Sequence, residues 1–184
     1  MSGCGCEMEA RNAQERKTLL IVLGINAFMF VFELALGLVA ESTGLIADSL
    51  DMLADASVYS ISLYAVGKSP ALQGRAATFS GIGQSILAIL VLVDVLRRFV
   101  LGSEPVSILM MGVGSIALIA NSVCLGLISK HRDCGVHMRA SVIFSTNDVI
   151  ANLGVIVSGV LVQALGSRYP DLVIGLIISM VVLR

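Results

Sequence analysis

Apolar residues dominate this chain in six long runs, separated by short polar punctuation. The runs lie at Thr18–Ala40, Thr43–Gly67, Arg75–Val100, Val106–Ser129, Arg139–Gln163 and Asp171–Arg184. About 20 apolar residues cross the hydrocarbon core of a bilayer as a helix, so the pattern predicts an all-α integral membrane protein with six transmembrane helices. Between the runs stand turn-forming clusters, "GKSPALQG", "GSEP", "SKHRDCGVH" and "GSRYPD". Connections this short make sequence neighbours pack antiparallel. The last run, Asp171–Arg184, covers only about 21 Å at about 1.5 Å per residue, which leaves open a continuation past Arg184.

Composition agrees with this layout. Of 184 residues, 57% are hydrophobic and 14% charged, and the mean hydropathy is +0.94, far more apolar surface than a soluble domain of this length can bury. Residues 1–17 are polar and carry Glu7, Glu9 and Glu15. That is the wrong chemistry for a cleaved signal peptide, so residues 1–17 are read as a cytoplasmic segment and 18–184 as one six-helix domain. A net charge of −1 gives nucleic acid nothing to bind. Four cysteines with no framework spacing predict no disulfides.

The basic residues orient the spans. Arg11, Arg16, Lys17, Lys68, Arg75, Lys130, Arg132, Arg139 and Arg184 fall on one side, against Arg97, Arg98 and Arg168 on the other. The positive-inside rule then places both termini in the cytoplasm. A multi-pass protein of a bacterial-type inner (plasma) membrane is expected.

Against this background the acids stand out. Asp48, Asp51 and Asp55 all lie in the second run, Glu33 in the first, Asp94 in the third and Asp148 in the fifth. One aspartate at a helix centre costs roughly 2.5–3.5 kcal/mol, so three on one helix cost roughly 8–10 kcal/mol before relief. At about 100° per residue, Asp48, Asp51 and Asp55 share an arc of about 60° on one helix face. No lysine or arginine lies mid-span to neutralise them. The missing counter-charge is a metal ion or protons.

Other spans supply matching polar faces. Asn26 and Glu33 share a face of the first span, and Asp148 has Asn152 one turn on, with Ser145 and Asn147 beside it. Asp94 lies next to Arg97 and Arg98, which predicts a juxtamembrane ion pair. Asn121 and Cys124 read as helix-packing residues. A weak internal echo, "DMLAD" at 51–55 and "DVIAN" at 148–152, is compatible with a three-plus-three repeat but too short to establish one.

The stretch "INAFMFVFELALGLVAESTGLIADSLDMLADA" resembles the first two helices of the cation diffusion facilitator family, and "FSTNDVIANLGVIVSG" resembles its fifth. The likeness covers all six spans in order and spacing. It implies metal binding by Asp51 and Asp55, the family's His/Asp-to-Asp pair on the second helix, and by Asp148 on the fifth, with Asp48 at the preceding aspartate position. The family's fifth-helix histidine falls on Phe144, which cannot bind metal. The remaining ligand or supporting positions are then Asn147, Asn152, Ser145, Asp48, Asn26 and Glu33. Without that histidine, Zn, Co, Fe, Mn, Ni and Cd are not distinguished. Many relatives carry a cytoplasmic domain after the sixth helix; without one, homodimerisation would fall to the membrane helices.

Both histidines of the chain lie in the fourth loop, where His131, Cys134 and His137 step by three, and Cys4 and Cys6 form a C-x-C pair. All five are expected in the cytoplasm, where they are candidates for metal capture. The alternative is a basic loop lying at the membrane surface with an incidental cysteine.

The expected function is export of a divalent transition-metal cation by proton antiport and alternating access. The partners are the lipid bilayer, the ion and protons, and no cofactor is required. A membrane-anchored metal sensor or buffer would use the same residues. An intramembrane aspartyl protease also needs buried aspartates on two helices, but the chain has no G-x-G-D pattern. No enzymatic activity is expected.

Overall fold

A computed structural model describes residues 4–65, 70–130 and 136–182. Six helices follow one another: α1 (Cys4–Val39), α2 (Thr43–Ala65), α3 (Pro70–Leu101), α4 (Ser107–Ser129), α5 (Val136–Leu165) and α6 (Tyr169–Val182). Each apolar run became one helix, several of them extended into the expected connections. The polar N-terminal segment is helical from Cys4 and continues into α1 without a break. Pro70, expected inside a loop, is the first residue of α3, a position where its missing N–H costs nothing and its fixed φ suits the helix.

Three helical stretches are long and apolar enough to cross a membrane among the described residues: Arg16–Val39, Ser107–Ser129 and Ser145–Leu165. α2 has the length, at 23 residues, but carries the three aspartates. α4 shows how the surface is organised. Its buried stripe is Met110, Val113, Gly114, Ala117, Asn121, Cys124 and Ile128, spaced by three and four as one helix face requires. The opposite face presents Ile108, Ile116, Ile119 and Val123 to the outside. The inward stripe thus admits Gly114, Ala117, Asn121 and Cys124 while branched aliphatics stand on the outside, unlike a soluble helix. The same inversion runs through the bundle: Phe28, Leu96, Val100 and Ile150 are exposed, while Asn26, Glu33, Asp48 and Asn152 are buried. Exposed apolar surface on this scale marks a lipid-facing exterior, and the protein is a helical membrane protein.

α2 is the hub. It packs on α1, α3, α5 and α6, whereas α3 touches only α2 and α6 extensively; α1 also lies on α4, and α4 on α5. Three short connections, at 40–42, 102–106 and 166–168, gather at one end of the bundle, here termed the tied end. α2 finishes at the opposite, far end, where α5 begins and α6 finishes.

The tied end is fastened by polar contacts. Asp171, fully buried on α6, accepts hydrogen bonds from the Ser42 hydroxyl (2.7 Å) and the backbone N–H groups of Thr43 (2.7 Å) and Gly44 (3.0 Å). A carboxylate from another helix therefore caps α2, satisfying orphan N–H groups where the helix dipole favours negative charge. The expected ion pair is present: Asp94 accepts from Arg97 (2.8 Å) and Arg98 (2.5 Å), and Arg98 also donates to the Glu41 carbonyl. The Val106 N–H donates to the Ala40 carbonyl (2.9 Å), joining two connections. Gly102 turns the chain at φ +99°, a conformation that favours glycine. Gly175 lets α6 lie directly on α2; a Cβ there would stand 2.7 Å from Thr43 Cγ2 and 2.9 Å from its carbonyl carbon.

Candidate metal site

Asp51 and Asp55 lie in the middle of α2 because the apolar run continues on both sides of them; their turn of helix has no chain end nearby to carry it into solvent. Asp148 occupies the matching depth on α5, which packs on α2. The three carboxylates line one cavity of about 700 Å3 between α2, α5 and α6. Asn147 adds an amide, and the remaining wall is alanine, valine, isoleucine and glycine, without a basic residue. Val58, Asn147 and Val181 mark the part nearer the far end, and Gly154 and Ile174 the part nearer the tied end.

Asp148 faces Asp51 and Asp55 across this cavity, and its Oδ2 is buried without a partner. Asp55 is only 5% exposed, and its Oδ2 accepts a hydrogen bond from the Tyr59 hydroxyl at 3.0 Å. Like charges at this range repel unless a cation or proton stands between them. Among the described residues no three His, Cys, Asp or Glu side chains are already gathered as a closed metal-ligand set. The arrangement is an acid-lined cavity whose carboxylates a cation would have to draw inward.

The other acids form a second group, away from the cavity lining. Glu33 of α1 lies opposite Asp48 of α2, between the Gly37–Ile46 approach and the Met29–Met52 contact. Asp48 Oδ2 accepts a hydrogen bond from the Asn152 amide of α5. Asn152 Oδ1 in turn accepts from Asn121 Nδ2 of α4 at 3.1 Å. All four side chains are essentially inaccessible. The α2 acids are therefore divided: Asp51 and Asp55 at the cavity, Asp48 in a chain of polar groups that crosses four helices.

The remaining sequence candidates separate along the same line. Asn152 has its amide engaged with Asp48 and Asn121 and does not line the cavity, whereas Asn147 does. Ser145 is buried with its hydroxyl unpartnered. Asn26 donates to the Val22 carbonyl (3.0 Å) and to Cys124 Sγ (3.8 Å). His131 and Cys134, and the side chains of Cys4, Cys6, His137 and Phe144, lie outside the described residues. Sequence reasoning passed over Tyr59, although its position four residues after Asp55 places it on the same face. It also treated Asn121 as packing alone, and no local signal ties Asn121 to Asn152 or Asp171 to Thr43.

No protein-family model matches the chain. Two curated proteins do: the zinc transporter ZitB of Yersinia pseudotuberculosis serotype I (strain IP32953) and the zinc transporter ZitB of Yersinia pestis. Each is 24% identical over 181 residues, which cover 91% of this chain and 58% of the relative. The chain thus spans less than two thirds of the length of these relatives. Both are named as transporters, and the likeness agrees with the resemblance carried by the α1, α2 and α5 motifs.

Proposed function

We propose that this protein is a secondary transporter of the cation diffusion facilitator type, exporting a divalent transition-metal ion from the cytoplasm in exchange for protons. The observation that carries this reading is the cavity between α2, α5 and α6. Three carboxylates and one amide converge there with no basic side chain to neutralise them. Its similarity to the two zinc transporters over 91% of the chain supports the same class.

On this reading all six helices span the membrane and both termini are cytoplasmic, which makes the far end of the bundle the inner one. Asp51, Asp55 and Asp148 take the ion from the cytoplasm when deprotonated. Their oxygens bind either the ion or protons, so protons arriving from the outside displace the ion after the bundle has rocked outward. Asn147 is the nearest neutral oxygen to complete the set, and water fills what remains. Zinc is the first ion to test because both relatives are named for it. Oxygen ligands suit Mn, Fe, Co, Ni and Cd as well, so the ion is left to experiment. His131, Cys134, His137, Cys4 and Cys6 are proposed to capture metal at the cytoplasmic face, and the protein to act in a bacterial-type inner membrane, self-associating as a homodimer.

The test is metal uptake into inverted membrane vesicles with an acidic interior. Wild type is expected to accumulate metal, and to stop when the pH gradient is collapsed. Full uptake by the combined Asp51→Ala, Asp55→Ala and Asp148→Ala variant would refute the site. Metal binding without any movement across the vesicle would instead favour a membrane-anchored buffer.

A further inference from the structure

Glu33 has no role in the cavity. It is fully buried on α1, and neither of its carboxylate oxygens receives a hydrogen bond from an amide, hydroxyl or cationic group. Asp48 of α2 lies opposite it, because Gly37 packs on Ile46 on one side of the two acids and Met29 on Met52 on the other, and Asp48 Oδ1 is likewise buried and without a donor. Two carboxylates that face each other in this way are both acceptors, so the contact is held only if something positive stands between them.

The groups around the pair show what that is. α4, which packs against α1, carries no acidic or basic residue and presents the Asn121 amide and the Cys124 thiol. α2 contributes Asp48 and, farther along, Asp51, Asp55 and Tyr59; α5 contributes Asp148, whose charge bears on Asp48. No lysine or arginine faces the pair from any described element packed on it. The Asn121 amide donates to Asn152 Oδ1, so Asn152 is held with its N–H toward Asp48 Oδ2. That donor favours the negative charge on Asp48, and so favours Glu33 as the group with an O–H to donate.

We propose that Glu33 and Asp48 hold a single proton between them and form a proton-carrying site distinct from the metal ligands, which releases its proton when a divalent cation reaches Asp51, Asp55 and Asp148. The release step rests on the transporter reading; the shared proton does not. The sign follows from charge. A cation with two positive charges on the same helix face as Asp48 makes the potential there more positive and favours loss of a proton. The proton leaves Glu33 as H+, giving two carboxylates whose negative charge the new cation offsets, and returns when the cation departs.

Infrared spectroscopy of the full chain in lipid vesicles tests both parts. With glutamate alone labelled in carbon-13, the metal-free protein at neutral pH is expected to show a protonated-carboxyl band that moves with the label. Glu33 is the one buried glutamate among the described residues. Absence of a glutamate-dependent band in the unaltered protein would overturn the shared proton without reliance on any variant. On addition of Zn2+ the band is expected to disappear, and a band that persists while metal binds would overturn the release step. If the band is present but no metal binds, the transporter reading fails and takes the release step with it, while the shared proton stands. Glu33→Gln keeps a donor toward Asp48 but has no proton to release. For each ion the variant binds, calorimetry in buffers of different ionisation enthalpy is expected to find one fewer proton liberated than in wild type, and equal proton release would contradict the proposal.

Discussion

Tyr59→Phe removes one oxygen from the protein and should weaken metal binding by about tenfold. The Tyr59 hydroxyl donates to Asp55 Oδ2 at 3.0 Å, and both side chains are buried, at 1% and 5% exposed. A hydrogen bond to an ionised group contributes about 1.5–3 kcal/mol. It exists only while Asp55 is an acceptor, which is also the state that binds a cation. Part of that energy is lost again when water reaches the carboxylate, leaving about 1.4 kcal/mol, a factor of about ten in affinity. Partners that orient a metal ligand change affinity by about 10–100-fold elsewhere, so the figure lies at the low end of a known range. The phenyl ring fills the same space, and the thermal midpoint is expected to move by only a few degrees. The assay is calorimetric titration of Zn2+ into purified protein at fixed pH, with unfolding followed in the same detergent. An unchanged dissociation constant in a folded variant would show that Tyr59 only packs, and that Asp55 needs no orienting partner.

Asp171→Ala strips the buried cap from α2 and leaves Thr43 and Gly44 with unpaired N–H groups; a loss of about 3–5 kcal/mol is expected, measured as a lower thermal midpoint, whereas removing the exposed carboxylate of Glu104 should change little. Gly175→Val places a branched side chain where even a Cβ would sit 2.7 Å from Thr43, and overpacking of about 1–3 kcal/mol or more should appear in the same measurement. Because protons and metal compete for the same carboxylate oxygens, apparent metal affinity should fall as pH is lowered. Asp148→Asn should flatten that dependence as well as weaken binding, and an equally steep profile would exclude Asp148 from the competing set.

The helices were legible because lipid imposes a simple code: every backbone polar group must be satisfied inside the span, so an apolar run of sufficient length can hardly be anything but a helix. The three aspartates of α2 were legible as a functional problem for the same reason. Their division was not. Asp48, Asp51 and Asp55 share one face by periodicity, and only the packing of α1 and α5 decides that Asp48 meets Glu33 and Asn152 while Asp51 and Asp55 meet Asp148. Asp171 escaped notice because its partners, Ser42 to Gly44, lie 127 to 129 residues away, and nothing local distinguishes a distant cap from an ordinary first-turn acid. The short sixth helix likewise gave no hint that it walls the cavity, since nothing in an apolar run tells Ile174, Ile177 and Ile178 apart from lipid-facing residues.

The two ends of α2 are held in opposite ways, and this bears on how a transporter of this architecture would work. At the tied end, Asp171 and Gly175 bring α6 into direct contact with the first turn of α2, and Arg98 joins α3 to the connection that precedes it. Farther along, α2 and α6 both line the cavity. On the proposed orientation the α2–α6 contact stands between the cavity and the outside. Outward opening would then require that this contact loosen while the far end closes. A cation held by Asp51, Asp55 and Asp148 would offset their mutual repulsion and so favour close approach of α2 and α5. Without the ion the same approach forces three negative charges into one apolar space, and only protons relieve it. Coupling by this route would need no separate gate residue, because the empty, unprotonated site is the one state in which repulsion opposes that approach.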